Sequence, residues 1–157
     1  METLLSRIAA ALLARKQTLA TAESCTGGLV GAALTGLPGS SAWYLGGIVA
    51  YSNNLKLRLL GVPPEILEAR GAVSLETARA MAEGACAATG ADYAISITGI
   101  AGPAGGTPEK PVGLVYVAVA TPHGTATFKH RFSGSRADVR NAAAEAALRH
   151  LLAAVES

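Results

Sequence analysis

The spacing of apolar residues predicts helices and strands that alternate along most of the chain. Leu4, Leu5, Ile8 and Leu12 recur at helical intervals and predict a helix over residues 3–15. Apolar runs rich in β-branched and aromatic residues predict five strands, at 17–22, 41–52, 92–98, 112–121 and 125–132. Helix start and stop signals predict further helices over 29–34, 53–60, 63–69, 74–89 and 136–155.

The order of these elements predicts an α/β fold. The last two strands are joined through Pro122-His123-Gly124, which indicates a hairpin. The earlier strands alternate with helices, which is typical of parallel strands with helices on both faces. We therefore predict a three-layer α/β/α sandwich around a mixed sheet of about five strands. At this length the chain fits a single domain over residues 1–157.

Glycines and capping residues mark where the elements end or bend. Gly46-Gly47 lies inside a predicted strand and indicates a β-bulge or a close approach of two backbones. Asn53 and Ser74 precede predicted helices and are candidate N-caps. The glycine clusters at 27–28 and 99–106 follow predicted strands. In open α/β sheets, loops at the carboxyl ends of strands line the ligand crevice, so we expect a shared pocket there.

Composition narrows the class of protein. Half of the residues are apolar and only 15% are charged, which excludes a disordered chain and disfavours a coiled coil. A net charge of +2 gives no strong footprint for nucleic acid, so none is expected as a partner. No uncharged apolar stretch reaches the roughly 20 residues of a membrane helix, and the amino terminus is typical of an amphipathic helix. We expect a cytoplasmic protein.

The cysteines and histidines give no metal signature. Cys25 and Cys86 are far apart and match no zinc spacing. His123, His130 and His150 show no pair at the spacing of metal ligands. No metal site and no cofactor are therefore expected.

The first candidate site is the turn at residues 22–28, between a predicted strand and a helix. Ser24 and Cys25 are both candidate nucleophiles there, and unpaired amides at a helix start could hold an oxyanion. We assign that role to the amides around Thr26, Gly27 and Gly28. Glu23, which directly precedes Ser24, could serve as a base, as an orienting group or as a structural acceptor of hydrogen bonds. In the alternative interpretation, Ser24 or Thr26 only caps the helix and Cys25 is core packing.

Lys56, in the first turn of the helix after Tyr51-Ser52-Asn53, is the second candidate. A lysine whose pKa is lowered by burial or by a neighbouring cation can act as a base in its neutral form. A solvated surface lysine is the alternative.

The third candidate is the glycine-rich loop after the strand at 92–98. Such loops expose amide donors that suit phosphate or another oxyanion, but neither a P-loop nor a dinucleotide fingerprint is present. An ordered connection between strands is the alternative. Arg136 and Arg140, at the start of the last helix, could reach an anionic ligand or lie at the surface. The loop residues assigned to the site are Thr98, Gly99, Gly102, Gly105 and Gly106.

Seven short motifs, in order along the chain, resemble the CinA C-terminal domain family, and the resemblance covers about residues 3–155. Larger members carry a further amino-terminal domain similar to molybdopterin-binding proteins, so we expect this chain to be the stand-alone form. The motifs are TAESCTGG at 21–28, GSSAW at 39–43, YSN at 51–53, GAVS at 71–74, TGIAGP at 98–103, GG at 105–106 with KPVG at 110–113, and FSG at 132–134 with Arg136.

The resemblance implies an amidohydrolase that converts nicotinamide mononucleotide and water into nicotinic acid mononucleotide and ammonia. The family is described with a serine nucleophile and a lysine base, which match Ser24 and Lys56. Within this scheme Tyr51 orients Lys56 or stacks on the pyridinium ring. Lys110, Arg140 and the 98–106 loop are expected to hold the ribose and phosphate.

Two other functions could use the same residues. A non-catalytic module that binds a nucleotide or pterin phosphate would need the glycine loops but neither Ser24 nor Lys56. An amidohydrolase of another small amide would keep the two residues and differ in substrate. Ammonia release from nicotinamide mononucleotide, nicotinamide and glutamine would distinguish these functions. The apolar composition and Trp43 are the grounds for expecting a homo-oligomer.

Overall fold

Six α-helices and five strands make up the computed structural model, which describes all 157 residues. The strands are β1 Leu19–Glu23, β2 Tyr44–Val49, β3 Tyr93–Gly99, β4 Leu114–Thr121 and β5 Gly124–Arg131. The helices are α1 Glu2–Arg15, α2 Leu29–Thr35, α3 Asn53–Leu60, α4 Pro64–Arg70, α5 Leu75–Thr89 and α6 Arg136–Glu156, with a 3₁₀ turn at Ser40–Ala42.

The five strands form one mixed sheet in the order β2-β1-β3-β4-β5. β1 runs parallel to both β2 and β3, whereas β4 is antiparallel to β3 and to β5. The carboxyl ends of β1, β2, β3 and β5 therefore meet at one edge of the sheet, here called the carboxyl edge. α6 begins beside it, because only a short loop separates its first residue from β5.

Helices cover both faces of the sheet, which confirms the predicted three-layer α/β/α fold. Alternate strand residues point to opposite faces, so each face has its own core. Ile95, Ile97 and Val117 belong to the larger core, with α1, α2 and α6. Ala20 and Ala94 belong to the smaller core beneath α5. Because α5 and the strand face beneath it both present alanines, the helix can approach the sheet closely.

The segment before β2 differs from its prediction. Residues 41–52 were expected to be one strand, but β2 is limited to Tyr44–Val49 and a 3₁₀ turn precedes it. Trp43 joins the larger core and is buried. Its indole therefore offers no surface to a second molecule, and this ground for a homo-oligomer is wrong.

The capping residues are partly as predicted. Ser52, not Asn53, is the N-cap of α3, because its hydroxyl accepts the amide of Leu55 at 3.1 Å. Ser74 caps α5 as expected, accepting the amide of Thr77 at 3.1 Å.

The Gly46-Gly47 pair shows both features that the sequence indicated. The pairing of β1 with β2 shifts by one residue beside Gly46, which is a β-bulge. A Cβ atom on Gly47 would collide with the hydroxyl of Thr21 on β1. Only glycine lets the two strands come this close.

Candidate active site

Ser24 and Lys56 meet at the carboxyl edge, although they are 32 positions apart in the chain. Ser24 directly follows β1, and its amide extends the pairing with β3 by donating to Ile97 at 3.0 Å. Lys56 lies in the first turn of α3, which leads away from the end of β2. Because β1 and β2 are neighbours, Nζ of Lys56 comes within 3.0 Å of Oγ of Ser24.

Nζ of Lys56 has two further partners, both of them main-chain carbonyls. The oxygens of Ala50 and Tyr51 each lie 3.0 Å from Nζ. No carboxylate forms an ion pair with this amine, and the Lys56 side chain is only 1% exposed. Burial lowers the pKa of the Lys56 amine below its ordinary value of 10.5. Lys56 is therefore not the solvated surface residue of the alternative interpretation.

Cys25 is buried and belongs to the larger core. Burial raises the pKa of its thiol from 9.0 to about 11, outweighing the smaller lowering effects of its own backbone amide and of the Arg140 and Lys56 charges. The thiolate is the nucleophilic form of cysteine, so Cys25 is unreactive at neutral pH. Of the two nucleophiles that the sequence allowed, the geometry favours Ser24.

Glu23 is a structural acceptor, which was one of its three interpretations. Its buried carboxylate accepts the hydroxyl of Thr26 at 2.6 Å and the amides of Gly28, Val30 and Gly31 at 3.0–3.2 Å. The three amides lie at the start of α2 and have no acceptor within the helix. The helix dipole also favours a negative charge at this end. Because both carboxylate oxygens already accept hydrogen bonds, Glu23 is not available as a base or for contact with a substrate.

The predicted oxyanion donors at Gly27 and Gly28 are wrong, because both amides already have acceptors. Gly27 donates to the carbonyl of Ser24 at 3.0 Å, and Gly28 donates to the carboxylate of Glu23. The amides of Cys25 and Thr26 donate to no other residue. These two N–H groups directly follow Ser24 in the chain and are the available donors for an oxyanion.

Arg140, on α6, holds the turn after Ser24 through two main-chain carbonyls. Its Nε donates to the carbonyl of Cys25 at 3.0 Å and its Nη2 to the carbonyl of Thr26 at 3.1 Å. A Cβ on Gly27, which has a positive φ of 59°, would lie 3.3 Å from Nη2. Nε and one N–H of Nη2 hold the peptide groups next to Ser24, so the donors of Arg140 that stay available for the predicted contact with phosphate are those of Nη1 and the second N–H of Nη2.

The Tyr51 side chain does not orient Lys56, which corrects one of its two expected roles. The carbonyl oxygen of Tyr51 contacts the lysine, whereas the ring is 62% exposed. Its hydroxyl accepts a hydrogen bond from Nη2 of Arg136 at 3.1 Å. The exposed ring borders the site and remains available for stacking.

The sequence did not assign Arg136 to the site, since its position suits either an anionic ligand or the surface, but its guanidinium contacts Tyr51 at the carboxyl edge. Nη1 of Arg136 donates to the carbonyl of Gly102 at 2.8 Å, while Nη2 reaches Tyr51. The residue thereby links the glycine-rich loop to the segment after β2. Two signals could have found it: its place in the FSG motif, and its position one helical turn before Arg140.

The glycine-rich loop follows β3 at the carboxyl edge, but its residues differ in role. Thr98 is buried and donates its hydroxyl to Ala72 at 2.7 Å, which is a structural contact. Gly99 packs closely on β4, because a Cβ there would lie 2.8 Å from the carbonyl of Leu114. Gly105 and Gly106 are exposed, and their amides donate to no other residue. Of the assigned loop residues, these two have amides that are both exposed and without a protein acceptor, and so are available to an anion.

The Lys110 side chain contacts the end of α4. Its Nζ donates to the carbonyl of Arg70 at 2.5 Å and lies against Gly71, at the end of α4. The groove that Lys110 lines also contains Ser74 and Tyr116. The amine of Lys110 thus tethers the loop to α4, and its predicted contact with phosphate stays a prediction.

The Ser24–Lys56 pair is nearly covered. Ser24 is 7% exposed, and none of the five surface grooves is lined by either residue. The hydrogen bonds of Arg136 to Tyr51 and to Gly102 cross the carboxyl edge close to this pair.

Fold and site together define an α/β protein with a buried serine–lysine pair at the carboxyl edge of its sheet. The family model of the CinA C-terminal domain matches residues 1–155. The chain belongs to the CinA family through this domain.

Relatives in several bacteria carry the same domain. The chain is 50% identical over 147 residues to a CinA-like protein of Desulfotalea psychrophila, covering 94% of this chain and 36% of the relative. It is 55% identical over 141 residues to a CinA-like protein of Anaeromyxobacter dehalogenans, covering 90% of this chain and 35% of the relative. The chain thus spans about a third of the length of these curated relatives.

Solved structures share the fold over nearly the whole chain. The competence/damage inducible protein CihA of Agrobacterium tumefaciens superposes with a TM-score of 0.95 at 42% identity, covering 99% of this chain and 95% of that one. A CinA superfamily protein of Klebsiella pneumoniae gives 0.94 at 38% identity, with 98% and 96% covered. Among the six helices, none combines the length and hydropathy of a membrane-spanning segment.

Proposed function

We propose that this protein is an amidohydrolase that converts nicotinamide mononucleotide and water into nicotinic acid mononucleotide and ammonia. The observation that carries the proposal is the 3.0 Å contact between Nζ of Lys56 and Oγ of Ser24 inside the protein. A carboxamide is a poor electrophile, so its hydrolysis needs an activated nucleophile and a stabilised oxyanion.

The surroundings of Lys56 suit a neutral amine. Carbonyl oxygens only accept hydrogen bonds, so Ala50 and Tyr51 take two N–H donors of Nζ. In the neutral amine these are the only two hydrogens, and the lone pair is directed to the remaining partner, Ser24. The same arrangement thus holds the amine and aims its basic site at the serine proton.

The reaction then follows in two stages. Lys56 takes the proton of the Ser24 hydroxyl while Oγ forms a bond to the carboxamide carbon. When the tetrahedral intermediate collapses, the C–N bond breaks and the lysine proton passes to the departing nitrogen as ammonia. Water, deprotonated by Lys56, then attacks the ester carbon; the C–Oγ bond breaks, the lysine proton passes to Oγ of Ser24, and nicotinic acid mononucleotide leaves. No redox step or cofactor is involved.

The negative oxygen of the intermediate needs donors close to Ser24. The free amides of Cys25 and Thr26 are those donors, and Arg140 holds the carbonyls of the same two residues. An oxyanion donor of this kind contributes about 3 kcal/mol, or roughly a hundredfold in rate.

The phosphate of the substrate needs positive charge or free amides at the same edge. Arg136 supplies a guanidinium there, and Gly105 and Gly106 supply amides without protein acceptors. The exposed ring of Tyr51 is available to stack on the pyridinium ring.

An ammonia-release assay on the purified protein tests the proposal. We expect turnover of nicotinamide mononucleotide, much slower release from free nicotinamide and glutamine, and loss of turnover in Ser24→Ala. Preferred release from another amide would contradict the substrate, and unchanged activity in Ser24→Ala would contradict the nucleophile. Binding of the nucleotide without ammonia release would instead favour a non-catalytic module.

A further inference from the structure

Two histidines from different elements meet on the face of the sheet that α6 covers. His130 lies on β5 and His150 on α6, and their Nε2 atoms are 2.8 Å apart, although the residues are 20 positions apart in the chain. The sequence gave no metal signature here, because the usual spacings place both histidines on one helix or turn. The pair exists only through the contact between α6 and β5.

Each of the two imidazoles is stacked on a phenyl ring. The ring centroids of His150 and Phe128 are 3.6 Å apart, with 10° between their planes. Those of His130 and Phe132 are 5.1 Å apart, with 9° between their planes. Both histidines are half-buried. The stacking holds the planes of both imidazoles, so little side-chain freedom is lost when the pair binds a ligand.

The distance between the two Nε2 atoms is close to that of two nitrogens on one metal ion. A zinc–nitrogen bond is about 2.0–2.1 Å long, so two nitrogens on a tetrahedral ion are about 3.4 Å apart. Starting from 2.8 Å, the rings need to separate by only about 0.6 Å, which they can do by sliding within their planes. Neither Nδ1 has a hydrogen-bond partner in the protein, so each ring can carry its proton there and leave the Nε2 lone pair free.

The cations nearest in the chain do not oppose a metal ion at this place. Lys129 and Arg131 flank His130, but alternate strand residues point to opposite faces of the sheet. Arg149, next to His150, forms an ion pair with Glu145 at 2.6 Å. These positive charges are therefore turned to the other face or neutralised.

We propose that His130 and His150 bind a divalent late transition-metal ion, with Zn²⁺ as the ion to test first, and that this ion links β5 to α6. Imidazole nitrogens suit Zn²⁺, Cu²⁺ and Ni²⁺, whereas Mg²⁺ and Ca²⁺ prefer oxygen. Water completes the coordination, because no third His, Cys, Asp or Glu joins the pair. His150 follows Arg140 by about 15 Å along α6, so the role of the ion is structural and the inference does not depend on the proposed reaction.

Thermal unfolding with and without Zn²⁺ tests the site, on the full chain freed of metal by a chelator. An ion that binds only the folded chain raises Tm, by about 5 °C or more at a hundredfold excess over Kd. We expect this shift at pH 7.5, where both imidazoles are neutral, and one Zn²⁺ per chain by isothermal titration calorimetry. Mg²⁺ should give no shift, and an equal shift with Mg²⁺ would overturn the inference.

Proton NMR of the wild type identifies the ligands without any substitution. The chain has only three histidines, so their ring signals are readily resolved. Zn²⁺ should shift the ring protons of His130 and His150 and leave those of His123 unchanged. A shift confined to His123, or no shift in any histidine, would overturn the inference.

His130→Gln and His150→Gln should each lose both the rise in Tm and the calorimetric binding. Each variant is compared with its own metal-free form, and circular dichroism checks that it is folded. His123→Gln is the matched control, since His123 is exposed in the turn between β4 and β5, and it should keep both. No saturable binding by the wild type up to about 1 mM Zn²⁺ would overturn the inference. Binding that survives in both His130→Gln and His150→Gln, or that is lost equally in His123→Gln, would overturn it as well.

Discussion

Arg136 and Arg140 lie one helical turn apart on α6 and hold opposite walls of the Ser24 site. Arg140 donates to the carbonyls of Cys25 and Thr26, beside the serine. Arg136 donates to the Gly102 carbonyl and to the Tyr51 hydroxyl. Residues at this spacing share one helix face, so a single helix start aligns the nucleophile turn with the glycine-rich loop.

Arg140→Lys should lower kcat and leave KM for nicotinamide mononucleotide nearly unchanged. Lysine keeps the charge but loses the fork that bridges two carbonyls, so the Cys25 and Thr26 amides lose their fixed direction. We expect a fall in kcat of about tenfold, less than for removal of an oxyanion donor. Steady-state kinetics check this, and a change confined to KM would show that Arg140 acts on the substrate instead.

Cys25→Ala should retain most of the activity. The thiol of Cys25 packs in the core, and its pKa of about 11 keeps it protonated at neutral pH. Iodoacetamide at pH 7.5 should likewise spare the wild type within the time of an assay. Alkylation that inactivates the wild type but not Cys25→Ala would identify a cysteine hydrolase and remove Ser24 from its role.

The carboxyl edge could be predicted from the sequence because it depends on strand order and on glycine positions. Strands that alternate with helices run parallel, so the turn at Ser24 and the loop at Gly102 had to lie at the same edge. The proximity of Lys56 followed from the family resemblance, since a first helical turn after a neighbouring strand could project either inward or outward.

The hydrogen-bond partners of individual polar groups could not be predicted in the same way. The Gly28 amide is occupied because the Glu23 carboxylate folds back on the start of α2. Lys110 is bound to α4 because that helix ends beside it with a carbonyl at Arg70 that accepts a hydrogen bond from its amine. Such contacts depend on where whole elements pack, and residue types alone do not encode that placement.

Glu23→Gln should destabilise the fold. The carboxylate accepts four hydrogen bonds in a buried position, and a glutamine NH₂ would turn donors toward the amides at the start of α2. We expect a loss of about 2 kcal/mol in the free energy of unfolding. Urea denaturation measures it, with Glu145→Gln as the control, because the exposed Glu145–Arg149 pair contributes only about 0.5 kcal/mol. Equal stability of the two variants would contradict this role of Glu23.

The rate of ammonia release should rise with pH as Lys56 loses its proton. Burial lowers the Lys56 pKa, so the midpoint of kcat/KM should lie below 10.5. Lys56→Arg keeps a positive charge that does not dissociate, so it should reduce the rate about a hundredfold or more and abolish this rise. A wild-type profile that is flat over the basic range, or a variant that keeps the rise, would assign the titration to another group.

The pH dependence of the free energy of unfolding should show the lowered pKa of Lys56 without any measurement of activity. A lysine whose pKa is lower in the folded than in the unfolded protein binds fewer protons when folded, so stability rises with pH between the two pKa values. Lys56→Met removes this titration at similar side-chain length. The free energy of unfolding of the wild type, relative to Lys56→Met, should therefore increase as pH is raised toward 10.5. Urea unfolding at a series of pH values measures the difference, and other titrating groups cancel in the comparison. A difference that stays constant or falls as pH rises would mean that the pKa of Lys56 is not lowered in the folded protein. The amine would then be charged at neutral pH, which would also argue against it as the base for Ser24.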